Sequence, residues 1–296
     1  MLQRVVGLHQ LMRRSIRFRH TLGGDIQRLM NHNEGIEGPK WEYGSFRYGE
    51  AGDVVNQPRS NDIYDELFDH LTLSELDKSI EILKEYCKPE RFVKLSSVIE
   101  KRSDNVRFVF ENPSNANNVW ASLRSLDAFG IQYINLIVAK EQYSQQWRRR
   151  QMNEAMGTQK YLSVTQGFNT VEEIQRLKSD GYKIYATDLN SDSMSLSDTN
   201  WDTNQKIAIV MGNEVNGISD DVRDLSDAFV KIPMKGFAES LNLSVSVAVI
   251  ASFLDDKKLI YPNLSELTRK KLLVAWMSRS IRSSLLLLKR NNIHLK

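Results

Sequence analysis

An apolar run, Ile207-Ala208-Ile209-Val210-Met211, leads directly into Gly212-Asn213-Glu214-Val215-Asn216-Gly217. A turn carrying a carboxylate and two amides can hold a polar ligand, and its glycines allow positive φ or close backbone approach. It is not a P-loop, because no Gly-Lys-Ser/Thr closes it. Nor does G-N-E-V-N-G carry the G-x-G-x-x-G spacing of a dinucleotide fold. Alone, it reads as a tight turn between a buried strand and a helix. Downstream, Asn242 interrupts the otherwise apolar stretch 241–249, where a buried amide requires partners. Charge is the third resource. Gln146-Trp147-Arg148-Arg149-Arg150-Gln151 sets three guanidinium groups beside an aromatic in an expected loop. Such a run suits phosphate contact and is equally common as solvated surface. Cys87 is the only cysteine, so no internal disulfide forms, and zinc-site spacings are absent.

These residues need a scaffold, and the periodicity supplies one. Strands are expected over 106–110, 133–139, 183–187, 207–211 and 229–232, with helices over 115–129 and 171–179. Strands alternating with helices predict an α/β fold with a mostly parallel sheet covered on both faces. Before the first strand, Leu67, Leu71, Leu73, Leu76, Ile80, Leu83 and Tyr86 fall near helical spacing, with Ser74 as the expected cap. Pro89 interrupts, and Phe92, Leu95, Val98 and Ile99 continue as a second helix. The segment 241–249 alternates apolar and small residues, a strand pattern by itself. From Ser265 onward an amphipathic basic helix runs through Leu272, Trp276, Ile281 and the leucines 285–288.

Over 296 residues, 41% hydrophobic and 26% charged content are those of an ordinary soluble globular protein. No apolar run approaches the ~20 residues needed to cross a bilayer. The net charge of +3 is mild, but both ends are basic. Residues 1–24 hold five arginines and no acid, and the tail from Ser265 holds eight Lys/Arg against Glu266 alone. The first composition matches a mitochondrial or plastid transit peptide, with a basic RNA-touching arm as the alternative. Residues 31–62 are rich in Gly, Asn and Pro without a sustained period and read as a disordered linker.

Three blocks then fall in order: N-N-V-W-A-S-L-R-S-L-D-A-F-G (117–130), I-V-M-G-N-E-V-N-G-I-S (209–219) and I-P-M-K-G-F-A-E-S-L-N-L-S-V-S-V-A (232–248). They resemble the three motifs of the SPOUT RNA methyltransferases, and most closely the TrmH group, the tRNA guanosine-2′-O-methyltransferases. The resemblance spans roughly 89–292. It implies a SPOUT fold whose C-terminal part forms a deep trefoil knot, an exception to the general avoidance of knots. N- and C-terminal helical extensions flank that domain. The implied divisions are 1–24 leader, 25–62 linker, 63–104 helical extension, 105–256 knotted domain and 257–296 basic helical extension.

The resemblance also implies chemistry. S-adenosyl-L-methionine is the expected cofactor, held by Thr187, Gly212, Ile232, Met234 and Leu241, with Gly212 bringing backbone against the donor. The expected acceptor is a ribose 2′-hydroxyl of tRNA, guanosine-18 of the D-loop. Ribosomal RNA, or a silent RNA-binding paralogue, is the alternative. Arg124 occupies the family's catalytic arginine position. Because a guanidinium stays charged, it suits clamping the ribose and its phosphate better than acting as a simple base. Asn118, Glu214, Ser240 and Asn242 match positions that orient Arg124 or the ribose. Expected tRNA phosphate contacts are Lys94, Lys101, Arg102, Arg148, Arg149, Arg150, Arg279, Arg282, Lys289 and Arg290. No metal and no membrane are expected, and the chain should form a homodimer in an organelle, the cytoplasm being the alternative. The resemblance turns 241–249 into a helix lying on its twin, with Ser240, Ser244, Ala248 and Ala251 as a small-residue stripe.

Overall fold

The core strands are hydrophobic on both faces, and a computed structural model covering residues 59–60, 67–138, 158–190 and 192–295 places them in one sheet. The strands are β1 (Arg59–Ser60), β2 (Val106–Glu111), β3 (Tyr133–Ile137), β4 (Ser163–Gly167), β5 (Tyr182–Thr187), β6 (Met194–Ser195), β7 (Lys206–Met211) and β8 (Ala228–Lys231). Their order is β1-β4-β3-β2-β7-β5-β8-β6. All pair in parallel except β1, which runs antiparallel to β4. Arg59 and Ser60 therefore pair with the sheet although they fall inside the expected linker. The readings of 1–24, the rest of that linker and Arg148 to Arg150 lie outside the described residues.

Successive side chains of a strand point to opposite faces, and the two faces build two cores. Phe108, Phe110, Ile134, Leu136, Ile207 and Ile209 pack on one side under α3 (Ala116–Ala128) and α6 (Leu243–Asp256). Val109, Ile137, Ile184, Ala208 and Val210 pack on the other under α4 (Thr170–Ser179) and α5 (Asp220–Leu225). The chain from Leu243 is helical, so the alternation there misled. Leu243, Val247, Ile250, Ala251 and Leu254 are buried at helical spacing, while Val245 and Val249 are apolar yet exposed on the opposite side. Two apolar stripes on one helix blur its 3.6-residue period into a period of two.

The remaining helices are α1 (Leu73–Lys84), α2 (Pro89–Ile99), α7 (Glu266–Ser280) and α8 (Ser284–Arg290). Thr72, not Ser74, caps α1, in a reciprocal capping box with Glu75. Pro89 starts α2 rather than merely interrupting: its missing N–H costs nothing in a first turn. The basic tail is two helices, broken at Ser283, whose φ is +62°. The sequence divides these helices into separate N- and C-terminal extensions. In the fold they share one core, with Phe68, Leu76, Leu83 and Leu95 against Leu272, Trp276 and Leu288. Lys270 pairs with Asp77 at 2.8 Å and Lys271 with Asp69 at 3.2 Å across the same junction. No described helix is long and apolar enough to cross a membrane.

Candidate active site

Thr187 is the last residue of β5, Gly212 follows β7, and Ile232 follows β8. These strands are neighbours and run parallel, so their C-terminal ends open on one edge of the sheet. That edge is where open α/β sheets bind ligands. Thr187 Oγ1 donates to the Val210 carbonyl at 3.1 Å, tying β5 to β7 at the rim. Ile232 and Met234 are half-buried, whereas Ser240 and Leu241 lie exposed in the connection to α6.

The turn after β7 is built to hold its shape. Asn213 Oδ1 accepts from Val215 N (2.9 Å) and Asn216 N (3.0 Å), and Gly217 closes the turn at φ +70°. Asn213 Nδ2 donates to the Asn112 carbonyl at 2.6 Å, fastening the turn to the β2–α3 connection. A Cβ on Gly212 would stand 2.5 Å from the backbone of Gly217 and Ile218. The absent side chain thus makes room for the turn's own return strand.

Glu214, at the tip, is the centre of a hydrogen-bonded line. Its Oε2 accepts from Ser114 N and Ser114 Oγ, both at 2.7 Å, and its Oε1 accepts from Asn118 Nδ2 at 2.9 Å. Asn118 Oδ1 accepts from Asn242 Nδ2 at 3.1 Å. Asn242 Oδ1 then caps α6, accepting from Ser244 N (2.9 Å) and Ser244 Oγ (2.7 Å). Burial pulls the Glu214 pKa upward, but hydrogen bonds from Asn118 and Ser114 outweigh it and hold the carboxyl below its ordinary range. Asn242 is exposed, so its partners answer the capping need of α6 and not the burial expected of it. Arg124 is exposed on α3, six residues beyond Asn118.

One residue from each of three distant segments therefore meets at a single polar line, and all three segments fall inside one stretch that matches a sequence family. Residues 105–252 match the model of the SpoU rRNA Methylase family. The chain belongs to that family. It is 32% identical over 173 residues to a Borreliella burgdorferi protein named tRNA (guanosine(18)-2′-O)-methyltransferase, covering 58% of this chain and 76% of that one. The Aquifex aeolicus protein of the same name is 30% identical, over 63% of this chain and 88% of its own. The crystal structure of the A. aeolicus TrmH/SpoU tRNA modifying enzyme superposes with a TM-score of 0.58 at 27% identity, covering 65% of this chain and 98% of the other.

Within this SpoU member the expected site residues sort by geometry. Asn118, Glu214 and Asn242 are joined directly, and Thr187, Gly212 and Ile232 share the strand-end rim. Of the expected small-residue stripe, Ser244 and Ala248 line an open groove with Ala121 and Ser125 of α3. Ala251 is fully buried and Ser240 precedes the helix, so neither belongs to that groove.

Arg102 is a correction. Its side chain is 1% exposed, ion-paired with Asp127 and set over the Trp276 ring at 5.3 Å, out of reach of any RNA phosphate. It ties the helical layer to the C-terminus of α3. Arg279 is half-buried and donates to the Lys160 carbonyl, so it too is engaged by its own chain. Lys94, Lys101, Arg282, Lys289 and Arg290 are exposed, all on that helical layer or its connections. Ser114 and Ser244 were not expected. The sequence shows Ser244 only as a small residue, and nothing around Ser114 signals a carboxylate 100 residues away.

Proposed function

We propose that this chain transfers a methyl group from S-adenosylmethionine to a ribose 2′-hydroxyl of tRNA, with guanosine-18 as the target. The observation that carries this reading is the line Glu214–Asn118–Asn242, which links the three family segments beside the strand-end rim. The names of relatives that this chain covers over three quarters or more of their length support tRNA as the substrate. Exposed apolar side chains at that edge, Leu189, Phe237 and Leu241, suit an adenine and the alkyl arms of a sulfonium. Thr187, Gly212, Ile232, Met234 and Leu241 would hold the cofactor, which when bound supplies an electrophilic methyl group.

The chain's own work is positioning and proton control. Arg124, permanently charged, clamps the acceptor ribose and its phosphate and lowers the hydroxyl's affinity for its proton. Glu214, ionised and fully hydrogen-bonded, orients Asn118 and does not take a proton. Lys94, Lys101, Arg282, Lys289 and Arg290 supply phosphate contacts from the helical layer. The open groove of Ala121, Ser125, Ser244, Ala248 and their neighbours supports a homodimer paired along α6. Threading of the segment between β8 and α6 into a trefoil knot is part of the same proposal. So is delivery to a mitochondrion or plastid, supported by the arginine-rich, acid-free residues 1–24.

Ribosomal RNA is the second reading, favoured by the description of the matching family model. The test is to incubate the purified chain with methyl-labelled donor and either unmodified tRNA or ribosomal RNA, then map the labelled nucleoside. Label as 2′-O-methylguanosine at position 18 of tRNA is the expected result. Label confined to ribosomal RNA would move the substrate to the second reading, and no transfer to either would overturn both. Arg124→Ala should abolish transfer and leave donor binding intact.

A further inference from the structure

We infer that Ser114 is a positioning residue of this site, fixing the Glu214 carboxylate so that its Oε1 alone is left to receive Asn118. The inference deepens the reading above and depends on it for its kinetic test. Ser114 lies in the four-residue connection between β2 and α3, and every neighbour in that connection is anchored. Asn112, at φ +44°, donates its N–H to the Ile137 carbonyl at 2.8 Å and receives Asn213 on its own carbonyl. Pro113 fixes its φ by its ring and is buried. Asn115 caps α3. From this rigid mount both the N–H and the hydroxyl of Ser114 reach the same carboxylate oxygen at 2.7 Å.

The consequence follows from donor and acceptor chemistry. An ionised carboxylate can only accept, so Asn118 must turn its NH2 toward Oε1 and its oxygen the other way. That oxygen can be met only by a donor, so Asn242 presents its own NH2 and is left with its oxygen on the N-terminus of α6. One carboxylate thereby sets the sense of two amides on two distant segments, and Ser114 sets the carboxylate. A glutamate side chain without that anchor has free rotors and no reason to prefer this pose.

The experiment compares Ser114→Ala, which keeps the N–H and loses the hydroxyl, with Ser114→Thr, which keeps both. Removing one hydrogen bond to a charged group should lower kcat about tenfold in Ser114→Ala, with KM for tRNA and donor unchanged and the melting temperature lowered by no more than about 4 °C. Ser114→Thr should regain most of that loss. An Ala variant with undiminished kcat, a loss confined to KM, or a Thr variant as impaired as Ala would overturn the inference. A titration of the 13C-labelled Glu214 carboxyl provides a readout independent of activity. Beside burial, the influences acting on that carboxyl are the hydrogen bonds of Asn118, of Ser114 and of its own backbone N–H. Its pKa should rise in Ser114→Ala. If the unaltered protein methylates no RNA, the functional reading fails while this titration still decides the inference, and an unmoved pKa refutes it.

Discussion

The Asn242 amide donates to the Asn118 amide across 3.1 Å, although 124 residues separate them. The same Asn242 caps α6, and Asn118 lies in the first turn of α3. The starts of the two helices that cover one face of the sheet are therefore tied through the candidate site. Any change in the polar sense of one amide must propagate to the other.

Asn118 is the most sensitive link for that reason. Asn118→Ala removes a hydrogen bond to an ionised group, about 1.5–3 kcal/mol and hence roughly 10- to 100-fold in kcat. Asn118→Asp is expected to be worse at neutral pH, because it faces the Glu214 carboxylate with a second one. Its activity should partly recover toward pH 5, where like-charge proximity keeps one of the two protonated. Parallel pH–rate profiles of the two variants measure this. A flat ratio between them across pH would remove the assigned contact.

Glu214 sets a pH boundary whose direction follows from its environment. Its pKa in the folded protein lies below the ordinary carboxylate range, held there by Asn118 and Ser114 against the pull of burial. A depressed carboxyl contributes fully above its unfolded value and loses its contribution as pH falls through the folded one. The acid limb attributable to Glu214 should therefore lie below about pH 4.3, the free glutamate value. Between pH 5.5 and 8 its ionisation should not limit the rate, in the range of ordinary assays. Glu214→Gln should lose activity at every pH, since an amide offers one acceptor oxygen where two are used. An acid limb near pH 6 that vanishes in Glu214→Gln would instead make Glu214 a base.

Arg102 and Asp127 should prove unequal when removed separately. Arg102 is 1% exposed, while Asp127 retains 26% exposure. Asp127→Ala strands a guanidinium in the interior, at the scale of about 3 kcal/mol or more for a broken buried pair. Arg102→Met leaves a carboxylate that can turn to water and substitutes an apolar stem beside Trp276, so its cost should be about 1–2 kcal/mol. Thermal melting of both variants gives the comparison. The salt dependence of tRNA binding should be the same in Arg102→Met as in the parent, because no phosphate contact is lost. A shallower slope would restore the RNA role that the sequence suggests.

The sheet was legible because its strands are short apolar runs bounded by turn residues, and 106–110, 183–187 and 207–211 fall within a residue of the observed β2, β5 and β7. The weaker elements were not. β4 reads Ser163-Val164-Thr165-Gln166-Gly167, too polar to announce a strand, and forms because β3 offers it a parallel edge. The joint role of Asn118, Glu214 and Asn242 was readable only through the family resemblance, since their hydrogen bonds join positions about 100 residues apart. Arg102 illustrates the opposite failure. An arginine just past a lysine-bearing helix looks like a phosphate ligand until its own fold supplies Asp127 and Trp276, which no local pattern encodes.

Gly212 provides the sharpest test of what the turn after β7 requires. If its role were to leave room for the donor, Gly212→Ala would raise the KM for S-adenosylmethionine and spare the fold. In the structure the added methyl would meet the Gly217 and Ile218 backbone at 2.5 Å, and backbone cannot swing aside as a side chain can. The turn must open, loosening the mutual Asn213–Gly217 hydrogen bonds and carrying Glu214 away from Ser114 and Asn118. The expected result is a loss of stability of about 1–3 kcal/mol together with a fall in kcat. Because Asn213 also fastens the turn to Asn112, hydrogen exchange should quicken at the amides of both 213–217 and 112–118. A variant that melts normally and fails only in donor affinity would overturn this packing role.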